Sequence, residues 1–247
     1  MKKIFIFGIC SFLLTMARGQ NFVTRAKIEF EKKVNMQRTI SGNVPDDLKD
    51  RIPKYNISYF DYLFAGNEAL YTAGREATDQ GSMGFSVAPN KNIRYTNYTT
   101  HRIVTTKNLF EEDYLIEDSI RNISWKIGQE TRMIAGYECR KAIGRIYDTV
   151  YVVAFYAEEI AIKGGPEGFQ GLPGMILGLA IPRYNTTWWA TKVELANINE
   201  AGIAPPFKGK KLKLAAFTDE LTKKLQAMGV KEVKPETIKR LWGGFFL

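Results

Sequence analysis

The sequence predicts a mainly β protein (α+β) built around one strongly curved antiparallel sheet or open half-barrel. Three observations support this fold class. Short segments alternate apolar and polar residues with a period of two, turn-forming residues separate these segments at regular intervals, and helical spacing recurs only near the end of the chain. Antiparallel strands that follow one another so regularly favour a sheet that curves towards closure.

Ahead of the first strand, the chain begins with the pattern of a secretory signal peptide. Residues 1–3 carry two lysines, residues 4–16 are apolar, and residues 17–19 place small side chains at the two positions that a signal peptidase reads. We expect cleavage after Gly19. The apolar run is too short to cross the roughly 30 Å hydrocarbon core of a bilayer. The pattern therefore predicts an exported protein without a transmembrane anchor, in the periplasm or, as the alternative, outside the cell.

The mature chain divides into an antiparallel β domain at residues 20–214 and a helical segment at residues 215–247. Removal of the signal peptide takes away two lysines and one arginine, which lowers the formal net charge by three, from +9 to +6. The remaining lysines are dispersed, so we expect no nucleic-acid partner. A cluster at residues 208–213 predicts a solvated edge, with contact to anionic lipid headgroups as the alternative.

The first strand is predicted at residues 26–34, where Ala26, Ile28 and Phe30 alternate with charged residues. The same pattern predicts further strands at residues 57–64, 93–99, 102–106, 115–117, 122–127, 132–135, 137–146, 149–156, 175–181 and 188–198. Residues 146–150 join two of these strands in a predicted hairpin tip.

Two segments between the early strands depart from this pattern. Residues 45–50 begin with Pro-Asp-Asp and predict one helical turn. Residues 74–90 are rich in Gly, Ser and Asp, and they predict a mobile excursion.

Helical spacing appears after the last strand. A helix is predicted with Thr218 or Asp219 as its cap and Gly229 as its stop. Its apolar stripe consists of Phe217, Leu221, Leu225 and Met228. A second short helix is predicted from Pro235. We expect both helices to pack on an edge or on the concave face of the sheet.

Residues 164–174, which we call the glycine-rich loop, are too long for a hairpin and precede a predicted strand. Repeated glycines and two prolines dictate an irregular, tightly turned backbone there. The P-loop spacing is absent, which disfavours a phosphate cradle. We expect Gly171 and Gly174 to serve a positive φ or a close approach of the backbone, with Pro173 fixing φ between them. The loop is either structural or a partner-binding element.

Residues 171–176 spell Gly-Leu-Pro-Gly-Met-Ile, which resembles the signature hexapeptide of the GLPGLI family of exported Bacteroidetes proteins, with Met175 in place of Leu. The resemblance extends over residues 110–179, although residues 153–156 lack an expected Trp. Family-like positions in the loop and the following strand are Gly165, Pro166, Phe169, Gly171, Leu172, Pro173, Gly174, Met175 and Ile176. Those upstream are Trp125, Gly136, Tyr137, Cys139, Lys141 and Ala142.

The resemblance implies no established activity. It implies an envelope protein, with an accessory role in TonB-dependent outer-membrane transport. At the level of fold, the predicted sheet resembles the open half-barrel of periplasmic lipoprotein carriers. Two sites of the form Asp-Ser/Thr-apolar, at Ser119 and Thr149, resemble O-glycosylation sites of exported Bacteroidetes proteins.

The sequence contains few of the residue combinations that catalytic sites require. His101 is the only histidine, which excludes a zinc site with two or three histidine ligands, and no Gly-x-Ser-x-Gly elbow occurs. After signal removal Cys139 is the only thiol, and a lone strand cysteine is typically a small buried hydrophobe. We expect a non-enzymatic protein without cofactor or metal. A cysteine-dependent enzyme that uses Cys139 is the alternative.

Large aromatic side chains on the predicted strands serve mostly as core. Trp188 and Trp189, together with the glycine-rich loop, are the candidate rim of a groove for an apolar or peptide ligand. Addition of a partner's extended segment to a sheet edge is a related hypothesis. The sequence thus predicts a protein that binds a partner protein or an apolar ligand, with a lipid or lipoprotein carrier as the alternative.

Overall fold

A computed structural model describes residues 22–40, 53–77, 92–109, 112–195 and 198–229 of the chain. These residues form one open sheet of twelve strands and two α-helices. The strands are β1 (Arg25–Asn35), β2 (Tyr55–Ala65), β3 (Glu68–Ala73), β4 (Arg94–Asn97), β5 (Arg102–Leu109), β6 (Glu112–Ser119), β7 (Trp125–Ile134), β8 (Tyr137–Ile146), β9 (Val150–Ala157), β10 (Met175–Ile181), β11 (Thr186–Glu194) and β12 (Lys210–Leu212). The helices are α1 (Met36–Ile40) and α2 (Leu214–Ala227).

The strand order is β12-β6-β5-β4-β3-β2-β1-β11-β10-β9-β8-β7. Neighbouring strands are antiparallel except for β12 and β6, which are parallel. The predicted class, a mainly β protein with an open antiparallel sheet and a helix near the end, is confirmed. β10 coincides with the strand predicted at residues 175–181, and a turn at residues 147–149 forms the predicted hairpin tip.

Three details of the strand prediction are corrected by the structure. The segments at 122–127 and 132–135 belong to one strand, β7, whose pairing with β8 shifts register between Ile127 and Thr131. β3 was not predicted, because its Ala and Glu residues blur the alternation. β12 was also not predicted, because three residues are too few to show a period.

One face of the sheet carries the main core, and we call it the inner face. Cross-strand pairing sets Phe30 of β1 opposite Phe60 of β2 and Ala190 of β11. Trp188 of β11 lies opposite Leu179 of β10 in the same way. All five side chains are buried, so the inner face is a continuous apolar surface across the middle of the sheet.

Helix α2 packs its apolar stripe on β6 near one end of the sheet. Phe217 meets the Tyr114 ring edge-on at a centroid distance of 5.2 Å. The predicted cap is wrong: α2 begins four residues before Thr218, whose hydroxyl donates to the Leu214 carbonyl from inside the helix at 2.9 Å. Met228 lies beyond the last helical residue and is 66% exposed, so it is not part of the stripe.

Several predicted features lie outside the described residues: the signal peptide, the turn at residues 45–50, most of the segment at residues 74–90, and the helix from Pro235. Among the helices that are described, none is long and apolar enough to cross a membrane.

Candidate functional site

The glycine-rich loop crosses the inner face of the sheet and is largely buried. A Cβ atom at Gly164 would lie 2.2 Å from the Tyr62 hydroxyl and 2.3 Å from the Tyr98 hydroxyl, two groups that bond each other at 2.8 Å. The loop therefore sits directly on strand β2 and on the turn after β4. Only glycine permits so close an approach.

The second half of the loop returns to β9 and β10. Gly171 has a φ of +98°, the conformation that favours glycine, and a Cβ there would meet nothing closer than 3.6 Å. At Gly174 the requirement is space, because a Cβ would lie 2.1 Å from the Ala157 carbonyl oxygen. Pro173, between them, is exposed. A glycine is thus needed at Gly171 for its backbone conformation, and at Gly174 because the backbone approaches β9 closely.

Hydrogen bonds and burial hold the loop to the sheet. The Trp125 indole N–H donates to the Gln170 carbonyl at 2.9 Å, and the Gln170 amide donates to the Arg121 carbonyl at 2.8 Å. Family-like residues with at most 2% exposure are Phe169, Leu172, Met175 and Ile176, and Gly165 and Pro166 are also buried. Most family-like loop positions are therefore core positions.

The centre of the loop carries a buried carboxylate. Glu167 has a φ of +53° and is 7% exposed, and its Oε1 accepts from the Lys32 ammonium at 3.1 Å. Lys32 also lies 5.0 Å from the centroid of the Trp188 ring. Arg94 on β4 and Lys107 on β5 contribute further positive charge at the carboxylate. One buried carboxylate therefore sits among three basic side chains.

The charged side chains around Glu167 shift one another's pKa values, because charges interact strongly where little water separates them. Burial would raise the pKa of Glu167, but Lys32, Arg94 and Lys107 outweigh it and hold the pKa below its usual value. Burial lowers the pKa of Lys107 to about 7; Arg94 and Lys32 add to this effect, while Glu167 opposes it. Burial lowers the pKa of Arg94 too, and the nearby Arg121 contributes in the same direction.

A cavity of about 240 Å³ opens beside this group on the inner face of β4, β5 and β6. The glycine-rich loop forms one wall and α2 forms the other. Its polar lining consists of Arg94, Thr105, Lys107, Asp118, Ser119, Arg121 and Glu167. Its apolar lining consists of Ile103, Ile116, Ile123, Gly168, Phe169, Leu214 and Phe217. Positively charged and apolar side chains thus line the same cavity, a combination suited to binding a small organic ligand.

The sequence does not predict this site. Its charged residues are far apart in sequence. They meet because β1, β4 and β5 present them on the inner face, two strands lie between β1 and β4, and the loop crosses that face. One signal was available for Lys32: it occupies an apolar-face position in the alternation of the first strand. Lys107 gave no such signal, because its strand is largely polar.

The upstream family-like residues lie on β7, β8 and the turn between them. Gly136 has a φ of +88° in that turn, and Tyr137 packs against the core. Ala142 is fully buried, and Lys141 pairs with Glu130. These residues shape the β7–β8 hairpin and do not contact the cavity.

Cys139 is fully buried, and its thiol points to the Tyr137 carbonyl at 3.6 Å. Burial, together with Glu159, raises its pKa to about 12. Such a thiol is almost wholly protonated at neutral pH and is a poor nucleophile. A cysteine nucleophile is commonly activated by a neighbouring histidine. His101 is exposed in the turn before β5, whereas Cys139 lies on β8, near the other end of the strand order, so His101 is not positioned to activate Cys139.

Trp188 and Trp189 do not share a groove rim. Trp188 is 0% exposed on the inner face, whereas Trp189 lies on the opposite face with its ring 5.7 Å from that of Phe155. Successive strand residues face opposite sides of a sheet, so the pair is separated by the strand itself. Of the two candidate glycosylation residues, Ser119 is exposed and lines the cavity, and Thr149 is exposed in the hairpin tip.

Among known protein families, one matches the part of the chain that contains the glycine-rich loop. The model of a family described as a protein of unknown function, Porph_ging, matches residues 144–178, which extend from the end of β8 through the glycine-rich loop into β10. No curated protein matches the chain.

Solved structures give a likeness in fold. Two crystal structures of a protein named PNGF-II, in space groups P21 and C2, align with TM-scores of 0.54 and 0.53 at 13% identity. Each alignment covers 79% of this chain and 32% of the PNGF-II chain. The chain therefore matches about a third of PNGF-II, and at this identity the likeness concerns the fold alone.

Proposed function

We propose that this chain is a non-enzymatic, exported envelope protein that binds a small ligand in the cavity between the glycine-rich loop and α2. The observation that carries the proposal is the lining of that cavity, in which six apolar side chains surround a few converging polar groups. The loop and the helix both pack on the sheet, so the walls are formed before any ligand arrives.

The size of the cavity bears on the class of ligand. A volume of about 240 Å³ falls just below the usual range of small-molecule pockets, about 300–1,000 Å³. This favours a small molecule, or one end of a larger molecule, over a carrier that encloses a whole lipid. The burial and raised pKa of Cys139 favour binding over cysteine-dependent catalysis.

The biological setting is a further part of the proposal. The signal-peptide pattern and the GLPGLI-like hexapeptide support export to the envelope, and the resemblance suggests a role accessory to TonB-dependent outer-membrane transport. A cavity that selects a small ligand is compatible with such a role.

Filling the cavity tests the proposal. Ile103→Trp places a large ring in the cavity, whereas Ile143→Trp, at a position 41% exposed on β8, serves as the matched control. Native mass spectrometry of protein purified from the envelope of its own host should show a bound small molecule in the parent and in Ile143→Trp but not in Ile103→Trp. Equal ligand occupancy in all three proteins would contradict the proposal.

A second candidate function, binding of a partner protein, is favoured by the edge of the sheet. β7 is a terminal strand of ten residues with no neighbour on its outer side among the described residues, and Met133 on it is 66% exposed. Such an edge can accept an extended segment of a partner. Met133→Glu should reduce the recovery of a co-purifying envelope protein, and Met228→Glu, equally exposed after α2, should not.

A further inference from the structure

Resting on the proposed function and narrowing its ligand, we propose that the cavity binds an organic anion, with a carboxylate or phosphate group held by Arg94 and Arg121 and an apolar body against α2 and the loop. Three features of the cavity point to this ligand: its excess of positive charge, the hydrogen-bond donors of its arginines, and its apolar wall.

Positive charge exceeds negative charge around the cavity. Arg94, Lys107 and Arg121 line the cavity, and Lys32 donates a hydrogen bond to Glu167, which also lines it. The acidic groups are Glu167, which is already bonded to Lys32 at 3.1 Å, and Asp118, which is exposed at the rim and accepts from the Ser119 backbone amide at 2.8 Å. Like charges gathered in a partly buried space repel one another strongly, and an added anion relieves that repulsion.

Arg94 and Arg121 both have hydrogen-bond donors available for a ligand. Arg94 uses its Nε to donate to the Thr105 hydroxyl at 3.3 Å, and its terminal nitrogens make no hydrogen bond to any residue that the structure describes. Arg121 donates one terminal nitrogen to the Tyr147 hydroxyl at 3.0 Å. Neither guanidinium has a described carboxylate within 4 Å. A planar guanidinium with free terminal nitrogens matches the two oxygens of a carboxylate or phosphate.

The apolar wall selects against a bare inorganic ion. Phe169 of the loop, Phe217 of α2 and Ile116 of β6 are buried and line the cavity. A ligand that placed hydrocarbon there would remove apolar surface from water while its acidic group met the arginines. Glu167 would compete with that group for the same cations, so it tunes the affinity of the site.

Isothermal titration calorimetry at neutral pH, with four probes, tests the inference: octanoate, octyl phosphate, 1-octanol and inorganic phosphate. We expect octanoate or octyl phosphate to bind at least about tenfold more tightly than octanol, the loss expected when a charge-assisted bond is missing. Inorganic phosphate should bind more weakly than octyl phosphate. Arg94→Gln should weaken binding of the octyl anions by about tenfold or more and leave octanol unchanged. Arg145→Gln, at an exposed position on β8, should change neither.

The outcomes separate this inference from the proposed function. Octanol that binds as tightly as octanoate, with no effect of Arg94→Gln, would overturn the anion site while leaving a ligand cavity. Inorganic phosphate that binds as tightly as octyl phosphate would overturn the role of the apolar wall. Failure of every probe, together with equal ligand occupancy of Ile103→Trp and the parent, would overturn both. If Arg94→Gln does not fold, Arg121→Gln at the half-buried end of the cavity is the substitute. Glu167→Gln should lower the melting temperature without ligand and increase the rise that octanoate produces.

Discussion

At the scale of single residues, Gly174 shows how a close approach of the backbone can require a glycine. A Cβ there would meet the Ala157 carbonyl oxygen at 2.1 Å, and that oxygen belongs to backbone that cannot swing away. We expect Gly174→Val to lower the free energy of unfolding by at least about 1 to 3 kcal/mol, because the loop must shift off β9. Urea melts measure this. Met175→Leu should cost less than about 1.5 kcal/mol.

The matched control is Gly202→Ala, in an exposed turn where an added Cβ meets nothing within 4 Å. Its free energy of unfolding should stay within about 0.5 kcal/mol of the parent. A Gly174→Val protein that melts like the parent but no longer binds ligand would show that the loop is a recognition element rather than a structural one.

Lys107 gives a second prediction at this scale, one that depends on pH. Its pKa is about 7 in the folded chain against an ordinary value of 10.5, with Arg94, Lys32 and Glu167 as the charged groups that face it. Between these values the unfolded chain holds a proton that the folded chain has lost, so rising pH favours folding. Below about pH 7 both states are protonated, and the full cost of burying the charge remains.

We therefore expect Lys107→Met to be more stable than the parent at about pH 6, and this advantage to shrink as the pH rises to about 9. Chemical denaturation at several pH values measures the difference. Lys208→Met, at an exposed position, should show no such trend. A constant difference between Lys107→Met and the parent across this range would contradict the assignment of a depressed pKa.

At the scale of elements, α2 supplies both stability and one wall of the cavity. Phe217 is 1% exposed and packs edge-on against Tyr114, whose hydroxyl in turn donates to Glu220 of the same helix at 3.0 Å. Phe217→Ala should lower the free energy of unfolding by about 3 to 5 kcal/mol, because a large buried ring is lost and a cavity remains. Met228→Ala, just after the helix, should have almost no effect. Equal thermal melts for the two variants would mean that α2 does not hold the sheet.

The strands and helices also show which structural features can be predicted from the sequence. β10 and the hairpin tip at residues 147–149 were predicted because apolar runs and turn residues are local signals. The Thr218 cap was wrong because a capping residue type inside a helix can bond back to the preceding turn. The anion site could not be predicted: Lys32, Arg94 and Glu167 are far apart in sequence, and only the strand order β4-β3-β2-β1 and the path of the loop bring them together.

At the scale of the whole molecule, the glycine-rich loop joins parts of the sheet that are remote in the strand order. It contacts β2 through Gly164, β1 through Glu167 and β7 through Gln170. An open sheet has two ends that can fray. The loop packs on the middle of the sheet and touches the terminal strand β7 at its first residue, Trp125. Stability should therefore be unevenly distributed, greatest beneath the loop and least at the terminal strands β7 and β12.

Hydrogen exchange measured by mass spectrometry tests this distribution. We expect peptides from β10, six of whose seven residues are buried, to exchange at least about tenfold more slowly than peptides from β7, a terminal strand among those described, most of whose side chains are exposed. Phe217→Ala should accelerate exchange in β6 and β12, which α2 covers or adjoins, and leave β9 and β10 unchanged. Equal protection of β7 and β10 would show that the sheet opens as one cooperative unit. In that case the loop would contribute no local stability beyond that of the sheet itself.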